Sequence, residues 1–492
     1  MKIRLQGGSF TGEAAVFDAL AGETLLEVFR RAGVSMDAPC GGQGRCGKCR
    51  VKILEGSTGG ESPEAGGMVR SCRAVPLGDL LIEIPPAARL RKSPAGLPRS
   101  GNISRAGIAL DIGTTTVSAR IINMETGEVL DTLSALNEQR IYGADVMSRI
   151  GTAREGRTGE LYRRINDQCR SLIDILLENR GPGIAAELVV AANTTMLHLF
   201  TNTDPSAMGE IPFKPVFLEE RKFSGTELDL PVETVRLLPS ISAFVGADIV
   251  SGIAFLGMCG KDESSLLIDM GTNGEIALFN KGRIYCCSTA AGPALEGAGI
   301  SCGMGSIDGA INRITVKDGE TRIETINGAE AAGICGSGLI DAVALMLEKG
   351  VIDETGAFVD EGQGVFPITG TIGISGADIR AFQLAKSAII SGIKILCKSA
   401  GLSPEDVNRI YVAGGLGFYI DQESAFRTGL LPSQFRDRIT VSGNTSLAGA
   451  EYCLESPGFM DQCRNIVAMS EVIELATIPE FMYEFSENIL FE

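Results

Sequence analysis

Three cysteines, Cys40, Cys46 and Cys49, crowd the stretch APCGGQGRCGKCR (38–50), and a fourth, Cys72, follows in VRSCRA after 22 intervening residues. The spacing C-x5-C-x2-C, with a distant fourth thiol, gathers soft donors, and four thiolates can hold two irons and two sulfides. Gly41, Gly42, Gly44 and Gly47 let the loop curl and leave backbone N–H groups able to reach cluster sulfurs. A zinc site usually wants paired knuckles, and only Cys46/Cys49 forms one. A redox dithiol would leave Cys40, Cys72 and the glycines without a purpose.

A second chemistry is written twice. GIALDIGTTTVSARII (107–122) and SLLIDMGTNGEIALF (265–279) each run apolar strand, Asp-x-Gly-Thr, polar turn, apolar strand, and they place Asp111 and Asp269 158 residues apart. A Gly-Thr turn between strands points several N–H groups one way, a nest for an anion. Gly113 and Gly271 permit the close approach a phosphate needs, and Thr114, Thr115, Thr272 and Asn273, with Gly274 closing the second turn, supply further donors. An Asp at each strand end can hold hydrated Mg2+ or orient an attacking water. In RIYVAGGLGFYID (409–421) an apolar strand runs into Gly414 and Gly415, where bare backbone could lie against an adenosine. One Asp-x-Gly-Thr would be weak; two in matching contexts imply a fold of two related halves.

The elements that must hold these residues follow from periodicity. KIRL (2–5), AAVF (14–17), RVKIL (50–54) and LLIEI (80–84) read as strands, and TLLEVFRRAG (24–33) reads as a helix ending in glycine. GICGSGLIDAVALML (333–347) gives glycines followed by an apolar helix, and ISGADIRAFQLAKSAIISGIKILCKSAG (374–401) reads as a long helix opened by a capping box between Ser375 and Asp378. His198, the sole histidine, sits in TMLHLF and reads as a core residue, which nearly excludes histidine triads and multi-histidine metal sites.

Charge and composition bound the rest. The 492 residues are enough for two to four domains and carry a net charge of −17, the wrong sign for a nucleic-acid footprint. Residues 1–86 hold ten basic and ten acidic side chains, whereas 87–105 hold five basic and none acidic, so the −22 that completes the total falls in 106–492. The basic Pro/Gly/Ser-rich segment 87–105 reads as a linker, with a reach of about 24 Å if flexible. MKIRLQGGSF lacks an apolar signal region, and no uncharged apolar run approaches the roughly 18 residues of a membrane span, so the expectation is a cytoplasmic protein without nucleic-acid or membrane partners. Thirteen cysteines in that setting do not suggest a disulfide framework, and nine of them are scattered.

Residues 1–86 resemble the 2Fe–2S ferredoxins, whose plant-type cysteine spacing differs by one residue. The resemblance implies an α+β β-grasp fold with Cys40, Cys46, Cys49 and Cys72 as cluster ligands. Residues 106–492 resemble the nucleotide-binding superfamily of actin, sugar kinases and heat-shock chaperones, with DIGTTT, DMGTNGE and VAGGLG at its two phosphate motifs and its adenosine motif. That implies an α/β, two-lobed, duplicated ribonuclease H-like ATPase domain whose second lobe opens near residue 265. The combination resembles the reductive activators of corrinoid proteins, whose distinctive runs have counterparts in VAANTTMLHLF (190–200), AFVGADIVSGI (243–253), STAAGPALEGAGISCGM (288–304) and GICGSGLIDA (333–342).

This family resemblance implies ATP-dependent one-electron reduction of Co(II) to Co(I) in a corrinoid iron–sulfur protein or a methyltransferase corrinoid subunit, fed by a low-potential donor. It implies a 2Fe–2S cluster and Mg·ATP as cofactors, Asp111 and Asp269 as catalytic residues, and is compatible with a homodimer. Longer members carry an extra domain between linker and ATPase, whereas here the linker leads from about Arg105 straight into the first phosphate strand. The run Ser288–Gly299 reads equally as a corrinoid-partner contact and as a nucleotide-proximal loop. Two other readings stay open from the residues alone. One is a small-molecule kinase with a regulatory cluster and Asp248 as base; the other is an electron-transfer adaptor whose nucleotide site is regulatory.

Overall fold

The computed structural model describes residues 1–7, 10–32, 34, 36, 49–61, 63, 66–84, 91–92, 103–178, 180, 184–260, 263–317, 320–360, 362, 364–414 and 420–491. Strands β1 (Lys2–Gly7), β2 (Phe10–Asp18), β3 (Arg50–Glu55), β4 (Met68–Arg70) and β5 (Leu80–Ile84) form one sheet in the order β2-β1-β5-β3-β4. β1 and β5 run parallel and the other pairs antiparallel. Helix α1 (Leu25–Arg31) lies across it, because Leu25, Leu26, Val28 and Phe29 recur at helical spacing and bury against Ile3, Leu5, Val51, Leu80 and Ile82. Thr24 and Glu27 close a capping box at its start. This is the expected β-grasp.

The remainder is built twice on one plan. In the first lobe β6 (Arg105–Ile112), β7 (Thr116–Asn123) and β8 (Val129–Leu136) form an antiparallel meander, and β9 (Ala185–Ala192) and β11 (Thr234–Leu237) add parallel to β6's free side, with β10 (Arg221–Ser224) at the edge. In the second lobe β12 (Ser265–Met270), β13 (Gly274–Asn280) and β14 (Arg283–Thr289) repeat the meander, and β15 (Arg409–Ala413) and β16 (Ile439–Gly443) repeat the parallel pair. The register repeats as well: Asp111 pairs with Ala191 and Asp269 with Ala413, each aspartate near the end of its strand. Two residues of the segment read as a linker, Arg91–Lys92, pair with Leu133 and Ser134 on the outer side of β8.

β9 is apolar apart from Glu187 and is buried from Leu188 to Ala192. Helix α3 (Thr158–Leu177) buries Leu161, Ile165, Leu172 and Leu176 in the first core. Helix α7 (Gly376–Ser399) buries Ile379, Phe382, Ile389 and Ile393 in the second, opened by the expected Ser375–Asp378 capping box. His198 is fully buried. Its Nδ1 faces Thr194 O at 2.7 Å, its Nε2 accepts from Val216 N at 3.0 Å, and its ring stacks on Phe217, so it is a framework residue.

The lobes meet where α5 (Ala247–Phe255), following β11, crosses α9 (Thr445–Glu455), following β16. The crossing is backbone-close. A Cβ on Gly449 would stand 2.5 Å from Ser251 O, one on Gly252 2.7 Å from Thr445 Oγ1, and Ser251 Oγ donates to Ser446 O at 2.9 Å.

Candidate nucleotide and cluster sites

Both Asp-x-Gly-Thr segments become tight hairpin turns. Gly113 N donates to Thr116 O at 2.9 Å, and Gly271 N to Asn273 O at 3.0 Å. The turns face each other across the lobe boundary, with Thr115 Oγ1 and Thr272 Oγ1 3.1 Å apart. Both hydroxyls donate to Glu296 Oε2, that from Thr115 at 2.6 Å. Glu296 ends a short helical turn, Pro293–Glu296, held by Gly297 at φ 77°, where a Cβ would collide with Met304 O at 2.1 Å. The run Ser288–Gly299 therefore brings a side chain to the nucleotide-proximal turns. The flanking glycines signalled a loop, but nothing local marked Glu296.

The aspartates differ in their partners. Asp111 accepts from Asn444 Nδ2 at 2.7 Å and Ser446 Oγ at 2.8 Å. Asn444 also caps α9 through Leu447 N at 2.8 Å, so the second lobe's interface helix grips the first lobe's aspartate. Burial nevertheless raises the Asp111 carboxyl above its ordinary range. Asp269 gains no such offset: burial, then the charges of Asp248, Asp111 and Glu296, push it up to about 8. Gly414, at φ 91°, comes so close that a Cβ there would stand 2.6 Å from both Asp269 Oδ1 and Met270 O. Asp248, in the first turn of α5, is pushed up to about 7 by burial and by Asp111. Glu275 and Glu296 are raised too, both first by burial.

The first turn is braced from below. Asn137 N donates to Thr115 O at 2.7 Å and Asn137 Nδ2 to Gly113 O at 2.8 Å. The buried Arg149 guanidinium donates to Thr114 O at 2.5 Å, with burial lowering it to about 9. Thr114 is turned inward, its hydroxyl accepting from Asn193 Nδ2 at 3.1 Å, so it supports the turn rather than facing the cleft. Gly274 packs against Thr289, whose Oγ1 donates to Gly274 O at 3.0 Å. Gly415 lies outside the described residues. Asn137, Arg149, Asn193, Glu296, Asn444 and Ser446 are not singled out by the sequence reading, although Asn193 and Asn444, each a cap residue before an apolar helix, carry a local signal.

Five neighbouring carboxyls with raised pKa values favour a ligand that brings positive charge. Their hard oxygens fit Mg2+, which is usually held by one or two carboxylates together with phosphate oxygens and water. Among the described residues no three histidine, cysteine or acidic side chains form a ready metal-ligand set.

In the β-grasp domain Cys49 is buried and Cys72 half-buried; their segments lie side by side, with Ser71 N donating to Cys49 O at 2.8 Å. The buried Ser71 hydroxyl has no hydrogen-bond partner among the described residues. Arg70, anchored to Glu61, is near enough to both sulfurs to feel their charge. Two thiols, an orphaned hydroxyl and a cation fit an anionic iron–sulfur cluster. Cys40 and Cys46 lie outside the described residues.

A β-grasp domain carrying paired cysteines, joined to a duplicated two-lobed fold with facing phosphate turns, defines a ferredoxin–ASKHA fusion. Three family models match accordingly: a 2Fe–2S iron–sulfur cluster binding domain at 10–77, the RACo middle region at 106–261, and the C-terminal ASKHA domain of RACo at 263–492. The chain is 34% identical to the corrinoid activation enzyme RamQ of Eubacterium limosum over 417 residues, 78% of this chain and 70% of that protein. It is 31% identical to the [Co(II) methylated amine-specific corrinoid protein] reductase of Methanosarcina barkeri over 70% of this chain and 68% of that protein. A solved reductive activator for corrinoid, iron–sulfur protein superposes over 100% of this chain and 98% of its own, with a TM-score of 0.72 at 27% identity. The chain belongs to the RACo family of corrinoid-protein activators. The middle-region match begins where β6 begins, so that region is present here and forms the lobe bearing Asp111. Among the described residues no helix is long and apolar enough to cross a membrane.

Proposed function

We propose that this protein is an ATP-dependent reductive activator of a corrinoid protein, delivering one electron at a time to return Co(II) to Co(I). The observation that carries the reading is the joining, in one chain with corrinoid-activating relatives, of a cysteine-bearing ferredoxin fold to an interlobe site with two facing phosphate turns. The substrate is a corrinoid iron–sulfur protein or a methyltransferase corrinoid subunit, and a low-potential donor supplies the electron.

A 2Fe–2S cluster, when bound, supplies one-electron chemistry near −400 mV. Cys40, Cys46, Cys49 and Cys72 would hold it, with Ser71 and Arg70 beside them. In the large domain Gly113, Thr115, Gly271, Thr272 and Asn273 receive the phosphates, while Thr114 and Gly274 keep the turns in shape. Asp111, fixed by Asn444 and Ser446, presents a stationary carboxylate for orienting water or a hydrated Mg2+. Asp269 would give up its proton to a bound cation, and Gly414 and Gly415 would line the adenosine pocket. Nucleotide entry displaces Glu296 from Thr115 and Thr272, which frees both turns at once. For one electron each ~59 mV of unfavourable potential costs tenfold in equilibrium, so ATP contributes through differential stabilisation of two conformations.

Anaerobic spectroscopy of the reconstituted protein with a Co(II) corrinoid protein tests this. Co(I) absorption should grow only with ATP, reductant and cluster together. Cys46→Ser should abolish it while retaining ATP hydrolysis, and full Co(I) formation by that variant would refute the electron path. Phosphoryl transfer to small sugars or acids that is lost in Asp248→Asn would favour the kinase reading instead.

A further inference from the structure

Among the described residues, Arg30 carries the ferredoxin domain's side-chain hydrogen bonds to the ATPase domain. From the last turn of α1, Arg30 donates to Ile141 O through Nε at 2.9 Å and also through Nη2. Its guanidinium carbon lies 5.6 Å from the Tyr142 ring centroid, and Arg157 approaches the same ring at 5.2 Å. Two donors converging on one carbonyl, beside an aromatic ring, fix direction as well as distance.

Both sides of this contact lead to a functional site. On the small-domain side, Leu25 N donates to Ala74 O at 2.8 Å and Leu26 N to Ser71 O at 3.0 Å, so the start of α1 is bonded to the turn that carries Cys72. Arg30 lies five residues along α1 from Leu25, a rise of about 7.5 Å. On the large-domain side, Ile141 ends the one-turn helix Glu138–Ile141, which is capped by Asn137. Asn137 is the residue that grips Thr115 O and Gly113 O in the first phosphate turn. Hydrogen bonds at either end, linked through the backbone of α1 and of residues 137–141, thus join the Cys72 turn to the Asp111 turn.

We propose that Arg30 and the segment Asn137–Tyr142 form a nucleotide-sensitive docking latch for the iron–sulfur domain. The inference rests on the nucleotide reading above and adds to it a partner surface within the chain. Phosphate entering between the turns moves Thr115 as Glu296 leaves, Asn137 follows its bonds to the turn, and Ile141 O shifts relative to Arg30. The iron–sulfur domain is thereby held against the large domain in one nucleotide state and released on its linker in the other. Coupling between two binding events is reciprocal, so weakening the dock must alter nucleotide affinity although α1 touches no part of the nucleotide site.

The experiment uses the full-length, cluster-loaded protein under anaerobic conditions, with a non-hydrolysable ATP analogue titrated calorimetrically. Hydrogen exchange is followed in residues 25–31 and 137–142. Arg30→Ala should shift the analogue's affinity by about fivefold, and the nucleotide response of residues 25–31 seen in the unmodified protein should vanish. Arg30→Gln, which keeps the stem and a single amide donor, should fall between, and an unaltered cluster spectrum shows that the small domain is intact in either variant. Tight analogue binding with equal affinity in all three proteins would overturn the latch while leaving the nucleotide site standing. Failure of the unmodified protein to bind the analogue at all would overturn both.

Discussion

The two lobes share a strand order, a register and a phosphate-turn motif, yet they treat their aspartates differently. Asp111 is a fixed carboxylate, bonded by Asn444 and Ser446 from the opposite lobe above a turn braced by Asn137, Arg149 and Asn193. Asp269 faces like charges and the bare backbone of Gly414, and burial with those charges pushes its carboxyl up to about 8. On one shared scaffold, one carboxylate is held by hydrogen bonds and the other is raised by the charges around it. That division fits a site that must recognise Mg·ATP and report its arrival.

The largest effect should come from removing the fixed member. Asp111→Asn leaves an amide facing Asn444 and Ser446, and ATP turnover should fall by about 10^2-fold or more in steady-state assays. If Asp111→Asn were as active as the unmodified protein, the asymmetry would have no catalytic meaning. The second effect concerns pH. Asp269 is raised to about 8 in the folded chain, so between about pH 4 and pH 8 the native state binds a proton the unfolded chain has lost, and stability falls as pH rises across that interval. The nucleotide-free protein should therefore melt lower at pH 8 than at pH 6, and Asp269→Asn should flatten that slope and raise the pH 8 melting temperature. Mg·ATP, which needs the ionised form, should bind more tightly as pH rises over the same interval.

Gly414→Ala comes next. At φ 91°, with a Cβ 2.6 Å from Asp269 Oδ1, it should cost about 1–3 kcal/mol by chemical denaturation and weaken ATP binding. Smallest is Asn444→Ala, which removes a helix cap and one Asp111 bond for about 1 kcal/mol. Its ATP turnover should fall less than that of Asp111→Asn, because Ser446 still holds the carboxylate.

How much of this was legible depended on sequence distance. The phosphate hairpins, the β-grasp strands and the Ser375 capping box are local, each written within a few consecutive residues, and the structure places them as read. The doubled Asp-x-Gly-Thr also disclosed the duplication, since 158 residues separate two copies of one pattern. The residues that make the copies unequal come from far along the chain: Asn444 meets Asp111 across 333 positions and Glu296 meets Thr115 across 181. No periodicity encodes such meetings. Arg149 was hidden for another reason, because an arginine on a short amphipathic helix reads as solvent-facing until the fold buries it.

At the crossing of α5 and α9, neither Gly252 nor Gly449 has room for another carbon. That close approach makes the spot a natural pivot for any reorientation of the lobes. Asp248 sits in the first turn of one helix, and Asn444 and Ser446 at the start of the other. A swivel would therefore carry the grip on Asp111 and the charge beside Asp269 together, much as both blades of a pair of shears answer to one rivet.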